Sequence, residues 1–468
     1  MARPARQWVQ LDPAEVAARR AAASQGTIQI DCTNGGIGDV VTALGCVTWL
    51  NRHRPAERVL LLTRRGEQQW ARLFAAAFDL VEVPVAGVKT VRPVDTYDHE
   101  LNARSGRPRR EWYAEACGTG WQPPEALEPP EDARRWAEPY RGAVVLAPWS
   151  SHRSREWLPS RWLHLESLLL DRGYQPVIIE DVVNGGGQVV NFQSPRFRGE
   201  PATRIAALMR ISACVVANDS GMAHVGAVFS RVLISLLAQQ KGHTLYGGYP
   251  AARWIDGPLP CSGCHWRGQW GWFPICDQLC SALQLIEPRH VLAQVPSYSL
   301  LTDERLEQLK ASVHATRQLP GAMAEVGTFR GGSAREMLAV AGGRELHVFD
   351  TFTGLPLAAE RTGQYAAPMD LTKRYLAGFP VVYHVGRFPE VLPPEGTRYS
   401  CVHLDGDLYS TTRDAIAYFW PRLCAGGHLV FDDVGQEPGV DQALAERGWL
   451  DQVERCAPGQ GRLVKPHG

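Results

Sequence analysis

Residues 402 to 433, VHLDGDLYSTTRDAIAYFWPRLCAGGHLVFDD, restrict what this chain can fold into more than any other stretch. An apolar run from Val402 ends in Asp405, helical apolar spacing follows at Ile416, Phe419 and Leu423, and Gly426-Gly427 stop that helix. Leu429-Val430-Phe431 then restart as a strand before Asp432-Asp433. Strand, helix and strand in this order run parallel, so the acids are delivered to the C-terminal edge of a sheet, where ligands of open α/β sheets sit. Asp405, Asp407, Asp432 and Asp433 can converge there. Carboxylates so close repel one another, and a hard divalent cation such as magnesium relieves the repulsion while leaving positions open for substrate hydroxyls. The plainer alternative is that the acids only end strands and cap the helices that follow.

A chain of 468 residues holds two to four compact units. Its 49 basic and 49 acidic side chains cancel, so nothing drives binding to a phosphate backbone and a nucleic-acid role is disfavoured. Residues 1–26 read as an N-terminal extension with scattered Arg and Glu, which fits neither a signal peptide nor a membrane anchor. No later apolar run approaches membrane-spanning length, and a cytoplasmic protein is expected. Of 11 cysteines, most lie singly among apolar residues as reduced thiols, and four are clustered.

Residues 27 to 32 (TIQIDC) read as a buried strand, Asn34 to Asp39 as a glycine turn and VVTALGCVTWLNRH as a helix, which brings backbone N–H groups close to an anionic ligand or an acceptor. Asp39 is equally placed to cap that helix. Strands VLLLT and LVEVP follow, and then a stretch from 88 to 141, rich in Pro, Arg and Glu, that gives no clear elements and reads in part as a linker. From Ala143 the pattern restarts with strand VVLAP, a loop carrying Arg153, Arg155 and Trp157, and a helix ending at Gly173. Strand PVIIED, a helix and the strand Cys214 to Ala217 lead to Asn218-Asp219-Ser220-Gly221, which opens a helix carrying His224. That turn suits a phosphate, with Ser220 and backbone N–H groups at the positive helix end and His224 one turn along; capping alone, with a satisfied His224, is the alternative.

In this order GGIGDVV, REWLP and NDSGMAHVGA resemble the heptosyltransferases of glycosyltransferase family nine, over about residues 27 to 295. The resemblance implies two facing Rossmann-like domains of GT-B type, an acceptor domain over 27–141 and a nucleotide-sugar domain over 142–297. By position it implies Asp39 as catalytic base, Arg155 as the basic residue beside the donor phosphates, and Asp219, Ser220, Gly221 and His224 as the nucleotide-diphosphate site. Arg155 stands where lysine is usual, which keeps the charge but not the geometry. The first domain is also shorter than is typical.

Within this region PCSGCHWRGQWGWFPICDQLC sets Cys261-x2-Cys264 eleven residues before Cys276-x3-Cys280, two close pairs of the kind a tetrahedral thiolate site requires. Free thiols in a Trp-rich loop are the alternative. No open coordination position is implied, so a metal held by residues 261–280 is structural. The insert resembles the cysteine finger of the autotransporter heptosyltransferases, which implies iron; the spacing admits zinc or iron.

Residues 298–468 read as a further α/β domain. SLLTDERLEQLKASVHATRQL forms an amphipathic helix, strand 323 to 326 meets Gly327, Gly331 and Gly332, a helix opens at Ser333, and strand ELHVFD ends at Asp350. The glycine spacing is not that of a nicotinamide site and suits S-adenosylmethionine, with Glu325 and Asp350 able to hold the cofactor. EVGTFRGGSA, FDTFTGLP, VGRFPEVLP, HLDGDLYSTTRDA and FDDVG resemble the macrocin O-methyltransferase family, metal-dependent methylators of sugar hydroxyls, over about residues 302 to 465. The resemblance implies a class I S-adenosylmethionine-dependent methyltransferase fold, with Glu325, Gly327, Gly331, Ser333 and Asp350 at the methyl donor. It implies Asp405, Asp432 and Asp433 on magnesium, and Asp407 as a further ligand or a base.

Together the resemblances imply a bifunctional enzyme that transfers a sugar from a nucleotide-sugar donor with inversion and methylates a sugar hydroxyl. The acceptor class is a glycan, glycoprotein or secondary metabolite, and self-association is left open. One rival keeps only the methyltransferase as an enzyme and makes residues 27 to 295 a non-catalytic glycan-binding module. Another, a metal-finger interaction protein, leaves both α/β sites unexplained.

Overall fold

The computed structural model describes residues 26–74, 78–81, 83–85, 88–96, 106–180, 191–264, 279–355, 363 and 365–467. These form two compact units, the first made almost wholly of residues up to Pro296 and the second of Ser297 onward. Among the described residues no helix is long and apolar enough to cross a membrane.

The first unit contains two parallel sheets. β1 (Thr27–Asp31), β2 (Arg58–Leu62), β3 (Asp79–Val81) and β4 (Lys89–Val91) are ordered β3-β2-β1-β4. α1 (Ile37–His53) follows β1, and α2 (Arg109–Cys117) lies in the stretch that gives no clear periodicity. Its bounds follow ordinary helix signals, since Pro108 precedes the first turn and Gly118 closes the last one in the left-handed region at φ 64°. The expectation of a partial linker over 88 to 141 is thus corrected for the described part, which is largely built into elements. The second sheet has β5 (Val144–Ala147), β6 (Pro176–Glu180), β7 (Arg196–Arg198), β8 (Cys214–Asn218), β9 (Leu233–Leu237) and β10 (Ala252–Asp256) in the order β10-β9-β8-β5-β6-β7. α3 (Ala202–Ile211) precedes β8 and α4 (Gly221–Phe229) follows it.

Strands covered on both faces read as continuous apolar runs, and β8 and β9 are buried along their whole length. One core joins the two sheets, with Ile30, Val41 and Leu44 from the first and Val145, Val215 and Leu233 from the second. α1 packs on α4, and glycines allow the approach: a Cβ on Gly38 would stand 2.6 Å from His224, and one on Gly221 would stand 2.7 Å from Ile37. The N-terminal turns of the two helices therefore pack closely on one another.

The second unit opens with α5 (Asp303–Ala315), capped by the Thr302 hydroxyl. Then come β11 (Ala322–Val326), α6 (Gly332–Val340), β12 (Leu346–Asp350), β13 (Val381–Val385), β14 (Tyr399–Leu404), α7 (Tyr409–Arg422), β15 (Leu423–Asp432), α8 (Pro438–Ala445), β16 (Glu454–Ala457) and β17 (Gln460–Val464). The order is β13-β12-β11-β14-β15-β17-β16, with β17 antiparallel to both neighbours and the other pairs parallel. This is the class I methyltransferase sheet, a doubly wound parallel core closed by a reversed hairpin.

α7 sets Thr412, Ile416 and Phe419 on the sheet at i, i+4, i+7 spacing, and Phe419 is fully buried. Truncating such a side chain to Ala costs about 3–5 kcal/mol. The helix ends at Arg422, before Gly426, because Pro421 brings no N–H to the ladder of its last turn. Leu423 then already belongs to β15, where the register on β14 slips between Tyr399 opposite Leu423 and Cys401 opposite His428.

Two candidate transferase sites

In the first unit a cavity of about 1200 Å³ lies between the two sheets, lined by Asp39, Arg109, Tyr113, Arg155, Asp219, Ser220, Gly221 and His224 among others. Asp39 occupies the third position of α1, and its Oδ2 accepts the Gly36 N–H at 2.8 Å, so the capping role is real. Its Oδ1 accepts the Tyr113 hydroxyl at 2.6 Å and stands 3.4 Å from Arg109 Nη1. Burial opposes ionisation of Asp39, yet Arg109, the Tyr113 bond and the Gly36 bond outweigh it and hold the acid below its ordinary range. Three of about four lone-pair positions are taken, which leaves one on Oδ2 for an incoming proton.

Across the cleft, Ser220 precedes α4 but its hydroxyl makes no cap bond and is buried without a partner. The Arg155 guanidinium approaches the Asp219 carboxylate to 3.8 Å. Ser150 donates to the Asp219 carbonyl at 2.8 Å, and Asn218 donates to the Pro148 carbonyl at 2.5 Å, so the loop carrying Arg155 is fastened to the end of β8. His224 is buried, and burial followed by Arg109 pushes its pKa down to about 4; at neutral pH the imidazole is uncharged. Glu67 lines the same cavity, is 8% exposed, has no partner for Oε2, and is pushed up to about 7 chiefly by burial. Sequence reasoning missed Arg109, Tyr113 and Glu67. The first two were within reach, since they sit four residues apart on one face of a helix bounded by Pro and Gly.

Of the clustered thiols, Cys261 is exposed, Cys264 half-buried and Cys280 buried, and none of the described cysteines forms a disulfide. Cys276 and the loop between the two pairs lie outside the described residues.

In the second unit a cavity of about 270 Å³ lies at the C-terminal edge of the sheet. Gly327, Ser333, Asp350, Asp405, Asp407, Asp432 and Asp433 line it. Gly327 has φ +89°, and a Cβ there would run into the Asp405 carbonyl oxygen, so only glycine lets the turn lie on β14. Asp350 Oδ2 accepts the N–H groups of Thr328 and Phe329 at 2.8 and 2.7 Å, and Oδ1 accepts that of Phe352 at 2.7 Å. Burial nonetheless raises its pKa. Its first work is thus to shape the glycine turn: both lone pairs of Oδ2 are taken, and Oδ1 keeps one further lone pair. Glu325 and Gly331 do not line the cavity: Glu325 is fully buried and paired with His403 at 3.1 Å, and Gly331 is the N-cap of α6 at φ +80°.

Oxygens of Asp405, Asp407 and Asp433 lie within 4.8 Å of one another. Burial, then Asp432, Asp407 and Asp433, push Asp405 well above the usual carboxylate range, and burial raises Asp432 as well. Hard oxygen donors in mutual repulsion fit a divalent cation. Asp432 faces differently: it is the last residue of β15, and its carboxylate accepts from Arg305 at 2.7 Å and from Gln460 at 3.4 Å. Asp433 turns through φ 59° and so reaches the cavity beside Asp407, whose φ is 56°.

The family model of macrocin-O-methyltransferase (TylF) matches residues 287–452. A relative from Streptomyces olivaceus, the 8-demethyl-8-(2,3-dimethoxy-α-L-rhamnosyl)-tetracenomycin-C 4'-O-methyltransferase, is 33% identical over 190 residues, covering 35% of this chain and 73% of that protein. Among solved structures, the glycosyl transferase family 9 protein of Veillonella parvula has a TM-score of 0.46 at 15% identity, over 57% of this chain and 95% of that one. The iron-containing dodecameric glycosyltransferase TibC of enterotoxigenic E. coli has a TM-score of 0.46 at 16% identity, over 57% and 74%. With its sheet order, its glycine turn and this relative in agreement, the chain belongs, through its second unit, to the macrocin-O-methyltransferase family.

Proposed function

We propose that the chain makes two transfers to one class of acceptor: a glycosyl group from a nucleotide sugar in the first unit and a methyl group to a sugar hydroxyl in the second. Residues 27–141 would hold the acceptor and 142–297 the nucleotide sugar, with 298–468 the methyl-transfer domain. The observation that carries the reading is the presence of two separate cavities, each with an acid at a strand-to-helix turn. Reduced thiols among apolar residues support a cytoplasmic setting.

In the first cavity Asp39 would take the proton of the acceptor hydroxyl through its remaining lone pair as that oxygen attacks the anomeric carbon. Arg155, the N-terminal N–H groups of α4 and the Ser220 hydroxyl would hold the departing diphosphate. Uncharged His224 would contribute a hydrogen bond without adding charge.

In the second cavity S-adenosylmethionine, held by the turn from Gly327 to Ser333 with Asp350 and Glu325 behind it, would supply the methyl group. Magnesium on Asp405, Asp407 and Asp433, the acids whose oxygens converge, would supply polarisation of a substrate oxygen, with Asp432, the ligand expected from the resemblance, tied instead to Arg305. Asp407 would serve as such a ligand or as the base that accepts the hydroxyl proton. The Streptomyces olivaceus relative, named for methylation of a rhamnosyl compound, supports a glycosylated secondary metabolite as acceptor.

One observation favours a second reading, in which the first unit only binds a glycan: Asp39 is already held by Tyr113, Arg109 and Gly36, which weakens it as a base. A panel of nucleotide sugars separates the two. Release of free nucleoside diphosphate, with the rate lowered on the order of a hundredfold in Asp39→Asn, is the outcome expected of an enzyme. A melting-temperature rise with glycans and none with any nucleotide sugar would establish the binding module instead.

A further inference from the structure

We infer that Arg305 is the positioning residue of the acid cluster in the second unit, fixing how Asp432 and Asp433 present their carboxylates rather than merely offsetting their charge. The inference rests on the reading that this cluster takes a divalent cation.

Arg305 sits in the first turn of α5, and its side chain reaches the C-terminal end of β15. One nitrogen, Nη1, donates to Asp432 Oδ2 at 2.7 Å and to Asp433 Oδ1 at 3.1 Å. Nε donates to the Pro458 carbonyl at 2.8 Å, and Nη2 donates to Gln436 Oε1. Arg305 is buried, and Gly459 lies so close that a Cβ there would collide with the guanidinium. A planar fork pinned by the strand end, the following turn and the β16–β17 hairpin cannot swing aside.

Neighbouring strand residues normally face opposite ways. Asp432 and Asp433 share one nitrogen only because Asp433 takes φ 59°. Arg305 therefore fixes the outcome of that backbone turn. With one oxygen of each acid tied, each carboxylate has a single orientation, and that of Asp433 is beside Asp405 and Asp407.

Charge and position predict opposite signs. A guanidinium next to a cation site repels the cation, so if Arg305 were only a counter-charge its loss would tighten cation binding. If it orients ligands, its loss weakens binding, as loss of groups that hold metal ligands typically does by about 10–100-fold.

The test is titration of the full chain with Mn2+, reading free ion by electron paramagnetic resonance, in wild type, Arg305→Met, Arg305→Lys and Gln436→Ala. Melting curves establish that each variant is folded. Arg305→Met and Arg305→Lys should both weaken Mn2+ binding by about tenfold or more. Lys fails although it keeps the charge, because one ammonium cannot span three elements. Gln436→Ala, at an exposed position, keeps the fold and frees Nη2, and should show a smaller loss of the same sign. Unchanged or tighter Mn2+ binding in Arg305→Met, or in Gln436→Ala where the Met variant does not fold, overturns the inference. Absence of Mn2+ binding by wild type overturns the cation reading itself, a result distinct from the others.

Discussion

Replacing Tyr113 by Phe tests whether the first cavity is organised around an ionised Asp39. The substitution keeps the buried ring and removes one hydroxyl that donates to Asp39 Oδ1 at 2.6 Å. A hydrogen bond to a charged group contributes about 1.5–3 kcal/mol, and about 1.4 kcal/mol corresponds to one pKa unit, so the Asp39 pKa should rise by about one to two units. The folded-state pKa of Asp39 lies below its ordinary value, so its contribution to stability is present at neutral pH and is lost as pH falls through the folded pKa. The variant should therefore be less stable than wild type at pH 7 by about 1.5–3 kcal/mol, and the gap should begin to narrow as pH falls through the raised folded-state pKa of the variant. Denaturant midpoints measured from pH 3 to pH 8 read this directly, and the acid limb of nucleotide-sugar turnover should shift upward alongside. A stability gap that persists unchanged to pH 3 would refute the reasoning, since the loss would then come from packing and not from the carboxylate.

Two further outcomes are expected. Gly327→Ala puts a side chain at φ +89° and against the Asp405 backbone, so it should destabilise the second unit by about 1–3 kcal/mol and abolish binding of S-adenosylhomocysteine in calorimetry; wild-type affinity would count against the turn as the cofactor seat. His224, lowered to about 4 from 6.5, must lose its proton to fold, so stability rises with pH between those values by about 3 kcal/mol in total; His224→Gln should flatten that slope in denaturation curves, and a slope unchanged from wild type would show that another group causes it.

The parallel strands were legible because burial on both faces makes them continuous apolar runs: TIQID, VVLA, CVVAN and LHVFD begin and end within a residue or two of the positions their composition implies. The end of α7 was not, because Gly426-Gly427 look like a helix stop while Pro421 acts first and the strand begins at Leu423. The partners of Asp39 were harder to see for a different reason. Tyr113 is 74 positions away and Arg109 is 70, and no local period links residues that meet only when α2 folds onto α1.

The two cavities also achieve close approach by different physical means, and this decides what a sequence can reveal. In the first, Gly38 and Gly221 have no positive φ; they are needed because a Cβ would strike His224 or Ile37, and such glycines stand out in the sequence beside Asp39 and Ser220. In the second, much of the work falls to left-handed residues that are not glycine. All five such residues among those described, Phe329, Phe352, Tyr365, Asp407 and Asp433, lie in the second unit, and all but Phe352 line its cavity. Each holds on the order of 1–2 kcal/mol of strain, which persists only where the surroundings over-determine the backbone. A Phe or an Asp carries no mark of that conformation. The convergence of acids at the end of β14 and β15 could therefore be read from pattern, whereas which of Asp407, Asp432 and Asp433 turns into the cavity depends on two backbone angles that the three-dimensional packing imposes.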